Sequence, residues 1–295
     1  MKTLATQPKR WLGIDFSGDH NRWRPGCRKS NVWIADVGGN DPFVLCDLRS
    51  VQQLPGNGTA FHRLTALLRN RQFDAAAIDA PFSVPAEFVP AGDHTKLLEF
   101  VSEIRRPVGR SFPMAGDFAD GIVAGRTLST KKPLRETEKY WRKRGVHVRS
   151  TLWVKERGGA AMTSACLTLL HNSQCPIWPW DRAGPGLLVE AFPAAQLHYW
   201  SLPYCRYNGN DADARQNRQE IVGFLSRHVV LDARKRQVME ESADALDAVI
   251  CAFAGIAVTT GCEFKPPGSA PSEEGLIGVH DMMETVTNRI NTVLQ

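Results

Sequence analysis

Hydrophobic residues recur in two registers along this chain. Five short apolar runs have the length of buried strands: Trp11-Leu-Gly-Ile-Asp15, Asn31 to Val37, Phe43 to Leu48, Asp74 to Ile78 and Leu187-Leu-Val-Glu190-Ala191. The turn formers Gly38-Gly-Asn-Asp-Pro42 separate the second run from the third, which predicts a hairpin, and the first strand extends it into a three-stranded antiparallel meander. Between the third and fourth runs, Phe61, Leu64, Leu67 and Leu68 fall at helical spacing behind a capping Thr59. A strand reached through a helix normally lies parallel to an earlier one, by a right-handed crossover. The pattern predicts an α/β fold with a mixed five-stranded sheet, three strands antiparallel and two parallel, flanked by helices. The carboxyl ends of the first and fourth strands then lie side by side.

Regular patterning lapses between about 82 and 185, where Pro85, Pro90, Pro107, Pro113, Pro133, Pro176, Pro179 and Pro185 break the chain. This stretch reads as a helical, proline-rich insertion with helices near 93–105, 133–145 and 160–171. Beyond it, helices are expected near 194–200, 211–228 and 242–260, then a short strand at 276–279 and a terminal helix at 283–294. The whole length, 1–295, reads as a single domain carrying the 82–185 insertion.

With 295 residues, 43% hydrophobic and 23% charged, the chain has matter for a large core, which excludes disordered, collagen-like and small disulfide-framed classes. Its seven cysteines lie far apart and form no C-x-x-C pair, as reduced thiols would. The first ten residues lack the apolar stretch of a secretory signal, and Ala248 to Val258 falls short of the about 20 residues a membrane helix needs. A cytoplasmic protein without a membrane partner is expected.

Charge is unevenly placed. Of a net +5, eleven Lys or Arg against three Glu between Arg126 and Arg157 put +8 in that stretch alone. Tyr140, Trp141 and Trp153 interleave with it. Lys and Arg release counterions from phosphates and aromatic rings stack on bases, so the stretch is a candidate nucleic-acid platform, with Lys139, Arg142 and Lys143 as its phosphate contacts. A solvated helix face would have the same composition. His20, His62, His94, His147 and His171 have no ligand spacing with one another and read as ordinary surface or core histidines.

Candidate chemistry sits at the strand ends. In open α/β sheets ligands bind outside the carboxyl ends of the strands, and three predicted ends carry acids: Asp15, Asp79 and Glu190. Asp244 and Asp247 open the apolar helix at 242–260, on one helix face by their spacing of three. The positive end of a helix dipole accounts for Asp244 but less for Asp247, more than a turn inside. Converging carboxylates repel unless a cation lies among them, and an all-oxygen site suits Mg²⁺ or Mn²⁺. A pair of such ions activates water and stabilises the leaving oxygen of a phosphodiester. Asp15, Asp79 and Asp247 are the expected metal ligands, with Glu190 and Asp244 completing the catalytic set. Phosphate-binding G-x-x-x-x-G-K-[ST], zincin H-E-x-x-H, hydrolase G-x-S-x-G and dinucleotide G-x-G-x-x-G signatures are all absent from the sequence.

Gly13-Ile-Asp15-Phe-Ser-Gly18, Ile78-Asp79-Ala-Pro81, Arg135-Glu-Thr-Glu138, Val189-Glu190-Ala-Phe-Pro193 and Asp244-Ala-Leu-Asp247 resemble, in order, the motifs of a family of RNase H-like nucleases catalogued as domain-of-unknown-function family 429. The resemblance spans roughly 11 to 279. It implies an RNase H-like fold and a nuclease. The helix D-x-x-D also resembles that of Holliday-junction resolvases, which implies Asp15, Asp244 and Asp247 as ligands; Asp79 stands where resolvases have Glu. Two other functions fit part of the pattern. A phosphotransferase or ATPase of the actin and sugar-kinase superfamily would use Asp15 for Mg²⁺ and the Ser17 to Gly18 turn for phosphate. A non-catalytic nucleic-acid-binding module would carry acids that never meet a metal.

Overall fold

The computed structural model describes residues 9–28, 31–39, 42–126, 132–156, 158–181, 184–266 and 273–281. Residues 1–8 and the expected terminal helix at 283–294 lie outside them. The chain begins with β1 (Arg10–Asp15), β2 (Trp33–Gly38) and β3 (Phe43–Ser50), an antiparallel meander. Helix α1 (Ala60–Arg69), capped by Thr59 Oγ1 accepting the His62 N–H, leads into β4 (Ala75–Asp79), parallel to β1. Then come α2 (His94–Glu103), α3 (Ala115–Val123), α4 (Glu136–Arg142) and α5 (Ala160–Ser173). Strand β5 (Leu187–Ala191) lies parallel to β4. The chain continues through α6 (Pro193–Tyr199), α7 (Ala212–Leu225), the two-residue β6 (Val229–Val230), α8 (Ala233–Glu241) and α9 (Ala243–Thr260).

The sheet order is β5-β4-β1-β2-β3-β6. It has six strands where five were expected. The extra one, β6, pairs only Val229 and Val230 with Phe43 and Val44, too short a stretch to carry a periodic signal. Two helices also went unexpected, each for a physical reason. Helix α3 contains Gly116 and Gly121, poor helix formers, and α8 buries only Met239, so it has no apolar stripe to read. The strand expected at 276–279 is not a ladder: Gly278 N–H donates to Glu190 O of β5 at 2.8 Å, while Phe264 N–H donates to Val279 O at 2.8 Å, so single bonds tie the segment to β5 on one side and to residues 262–264 on the other.

Both faces of the sheet are covered. Leu12 and Ile14, with Ala76, Ile78 and Leu188, point to one face and meet α1, α2, α3 and α5 through Phe61, Leu64, Leu97, Phe118 and Leu167. Their neighbours Trp11, Ala75, Ala77, Leu187 and Val189 point to the other, against α7 and α9. Strands buried on both faces read as unbroken apolar runs, which is why β1 and β4 show no alternation. Helices α2, α3 and α5 of the 82–185 stretch thus form, with α1, the helical layer on one face and share its core with the sheet, while α4 packs through Trp141 against Val146, Ala195 and Ile277. By composition and length α9 matches a membrane-spanning helix, but 67% of it is buried within this core.

Candidate active site

Asp15 and Asp79 end their strands directly opposite one another in the parallel β1–β4 register. Alternation sends both to the face shared by Trp11, Ala75 and Ala77, the face on which α9 lies. Helix α9 runs antiparallel to β1. Trp11 Nε1 near the strand's start donates to Thr259 Oγ1 at 2.8 Å, while Gly13 further along abuts Ala248 and Ala252. A Cβ on Gly13 would stand 1.9 Å from Ala248 O, so only glycine lets the helix lie this close. The helix thus begins where the strands end. Ser242 Oγ caps it by accepting the Ala245 N–H, and Asp247, a turn further in, is delivered to the two strand-end acids.

These carboxylates sense one another. Burial, then the charges of Asp247, Asp79 and Asp244, hold the Asp15 carboxyl well above the ordinary range. Burial likewise raises Asp247 well above it, with Asp79 and Asp244 adding to the rise and the Tyr207 hydroxyl, which donates to Oδ1 at 2.8 Å, opposing it. Asp79 is pushed up to about 7 by burial, the Arg149 guanidinium pulling it down and Glu190 adding to the rise. Asp244 is raised by burial against the opposing charge of Arg22.

Glu190 lines the same cavity as Asp79 and Asp247 but reaches it from the other face of the sheet. Its partner in the β4–β5 register is Ile78, one residue short of Asp79, so its side chain leaves the sheet on the opposite face. Both oxygens are engaged there: Oε1 accepts from Arg135 Nη2 at 2.5 Å, and Oε2 from Arg135 Nη1 at 2.8 Å and the Phe82 N–H at 2.9 Å. Arg135, 1% exposed, also donates to Glu138 Oε1 at 3.1 Å and Glu274 O at 3.2 Å. The Arg-Glu-Thr-Glu motif is thus a buried ionic tie between α4 and β5.

A cavity of about 430 Å³ opens over Asp79 and Asp247, with Arg149, Arg206, His147, Tyr204, Phe192 and Tyr207 among its walls. Asp15 and Asp244 do not line it. Lys139, Arg142 and Lys143 do not line the cavity. All three are exposed, Lys139 and Arg142 on α4 and Lys143 just after it, and Lys139 is held by Glu136 at 2.6 Å. The aromatics of the basic stretch are occupied within the protein. Trp141 is buried with Val146, Ala195 and Ile277, Tyr140 lies 3.5 Å under the Arg144 guanidinium, and Trp153 faces the Lys132 ammonium at 4.5 Å.

Tyr207 and Arg206 escaped sequence reasoning, and Arg149 entered it only as part of the basic stretch. The loop carrying Tyr207 and Arg206 has no periodicity, and Arg218, distant in sequence, holds it by donating to Tyr207 O at 2.5 Å and Gly209 O at 2.8 Å. His147 was read as an ordinary histidine, and the structure puts it on the cavity wall.

A Cβ on Gly18 would meet the Ala161 and Met162 backbone at 2.4 Å, so the Ser17 to Gly18 turn of the alternative phosphate-binding reading packs closely against the start of α5. The donor set for a divalent ion is all oxygen, as Mg²⁺ or Mn²⁺ requires, and a cation would relieve the repulsion among Asp15, Asp79 and Asp247. Among the described residues, however, no three His, Cys, Asp or Glu side chains already stand around a common ion position.

A mixed α/β sheet with two strand-end acids and one helix acid converging beneath a basic-walled cavity defines the structural class. The family model described as "Protein of unknown function (DUF429)" matches residues 13–271, and the chain belongs to that family. No curated protein and no solved structure matches the chain.

Proposed function

We propose that this protein is a metal-dependent phosphodiesterase that acts on nucleic acid, built on an RNase H-like sheet. One observation carries the reading: Asp15 and Asp79 are paired in register on adjacent parallel strands, and Asp247 meets them from α9 on the same face. Stability does not account for that arrangement, because buried acids in one another's field cost free energy when ionised. Asp15, Asp79 and Asp247 would hold Mg²⁺ or Mn²⁺, which supplies an activated water and stabilises the leaving oxygen. Tyr207 keeps Asp247 in one orientation by donating to Oδ1 and leaves Oδ2 available. Arg149, exposed on the cavity wall and close enough to lower the Asp79 carboxyl, is placed to hold the phosphate against the acids.

Calorimetric titration with Mn²⁺ tests the reading. The protein should bind Mn²⁺ and hydrolyse an activated phosphodiester. Asp15→Asn should abolish both while keeping or raising thermal stability at pH 8, since it removes a charge from among like charges. Asp247→Ala should weaken Mn²⁺ binding more than Asp244→Ala, which the helix dipole and Arg22 accommodate. A protein that gives no Mn²⁺ heat is a binding module and not an enzyme of this kind.

A further inference from the structure

Resting on that reading, we infer that the substrate is single-stranded nucleic acid, gripped between Arg149 and Arg206 with a base stacked on Tyr204. The cavity over Asp79 and Asp247, at about 430 Å³, is the size of a small-ligand pocket, for which roughly 300–1,000 Å³ is usual. Such a space takes about one nucleotide unit. A duplex, with its bases paired inside and two backbones outside, does not present a single phosphate and a free base face together to a space of this size. The cavity walls combine the two things a single strand offers to bind, phosphate and base faces. Arg149 and Arg206 are exposed and bring charge from separate segments, one following α4 and the other preceding α7. Tyr204 and Phe192 are half-buried aromatic rings on the same wall, and Tyr204 is braced edge-on by His198 at 4.9 Å between centroids.

The loop bearing Tyr204 and Arg206 is held in place. Arg206 has φ +61°, a left-handed conformation that a non-glycine residue adopts at a cost. The flanking backbone is fixed by Arg218 donating to Tyr207 O and Gly209 O, and by Asn217 Nδ2 donating to Arg206 O at 3.3 Å. By contrast, the basic residues of α4 lie outside the cavity and their aromatics are already covered, so α4 offers charge without a stacking face.

The test is fluorescence anisotropy with a labelled 12-nucleotide single strand and the blunt duplex of the same sequence, in Ca²⁺ over a series of salt concentrations. The single strand should bind about tenfold or more tightly than the duplex. Arg149→Glu and Arg206→Glu should each weaken binding and flatten the salt slope by about 0.7, the value per phosphate contact on single strands. Tyr204→Leu should weaken binding with the slope unchanged, the mark of stacking lost and charge retained. Thermal melts confirm that these surface variants fold. Equal affinity for the duplex, or variants that bind as the parent does, overturns this inference while Mn²⁺ calorimetry still supports the phosphodiesterase. No Mn²⁺ heat and no binding of either oligonucleotide overturns both.

Discussion

At the scale of single residues, the most informative group is Asp79, whose carboxyl is pushed up to about 7 by burial. In the unfolded chain it titrates near 4, so between pH 4 and 7 the folded protein holds a proton there that the unfolded chain has released. Folding stability from this group is fully present below pH 4 and is lost as pH rises toward 7, after which it changes no further. Asp79→Asn removes that dependence. Thermal melts from pH 4 to 8 should therefore show the variant gaining on the parent as pH rises, with the largest difference above pH 7. Saturating Mn²⁺ should narrow the gap by stabilising the parent alone. A difference that stays flat with pH would show that Asp79 is not titrating among like charges.

At the scale of elements, the site depends on how closely α9 lies on β1 and β4. Gly13→Ala sets a methyl 1.9 Å from Ala248 O, a backbone atom that cannot rotate away, so the helix must lift and carry Asp247 with it. Overpacking of this kind costs about 1–3 kcal/mol or more, and Mn²⁺ affinity should fall together with the melting temperature. Gly116→Ala in α3 meets nothing within 4 Å and should instead stabilise the protein by about 0.5–1 kcal/mol, leaving Mn²⁺ binding unchanged. If Gly13→Ala left Mn²⁺ affinity untouched, that would falsify the claim that helix depth positions Asp247. The same elements show what the sequence made legible. The meander, the crossover to β4 and the long apolar α9 were readable because each has a strong hydrophobic period; Asp15 and Asp79 stand where strand periods stop, and Asp247 shares a helix face with Asp244 in the first turns of α9. The pairing of Glu190 with Arg135 was hidden because an end-of-strand position conceals its register: one residue of offset against Asp79 turns the side chain to the other face of the sheet and into Arg135, although it still lines the cavity. Tyr207 and Arg206 were out of reach, since their loop owes its shape to Arg218 and not to any local pattern.

At the scale of the whole molecule, charge is distributed for approach as well as for contact. Lys139 and Arg142 on α4 and Lys143 just after it are exposed, and the cavity wall at His147 and Arg149 lies a few residues further along the same chain segment. Charges outside a binding cleft still raise the local concentration of a polyanion and its rate of encounter, and salt screens them over about 10 Å at 0.1 M. Two kinds of basic residue are therefore separable in this protein. Reversing Lys139, Arg142 and Lys143 to Glu should slow association several-fold at low salt and lose most of that effect above about 0.3 M. The turnover rate at saturating substrate should stay as in the parent, because none of the three touches the cavity. Reversal of Arg149 should act at the other end of the reaction, lowering turnover at all salt concentrations, since Arg149 lines the cavity with Asp79 and its charge lowers that carboxyl. Stopped-flow binding and steady-state turnover, each over a salt series, distinguish the two. A triple reversal that lowers saturated turnover as much as Arg149→Glu would bring α4 into the active site and the long-range account would fail.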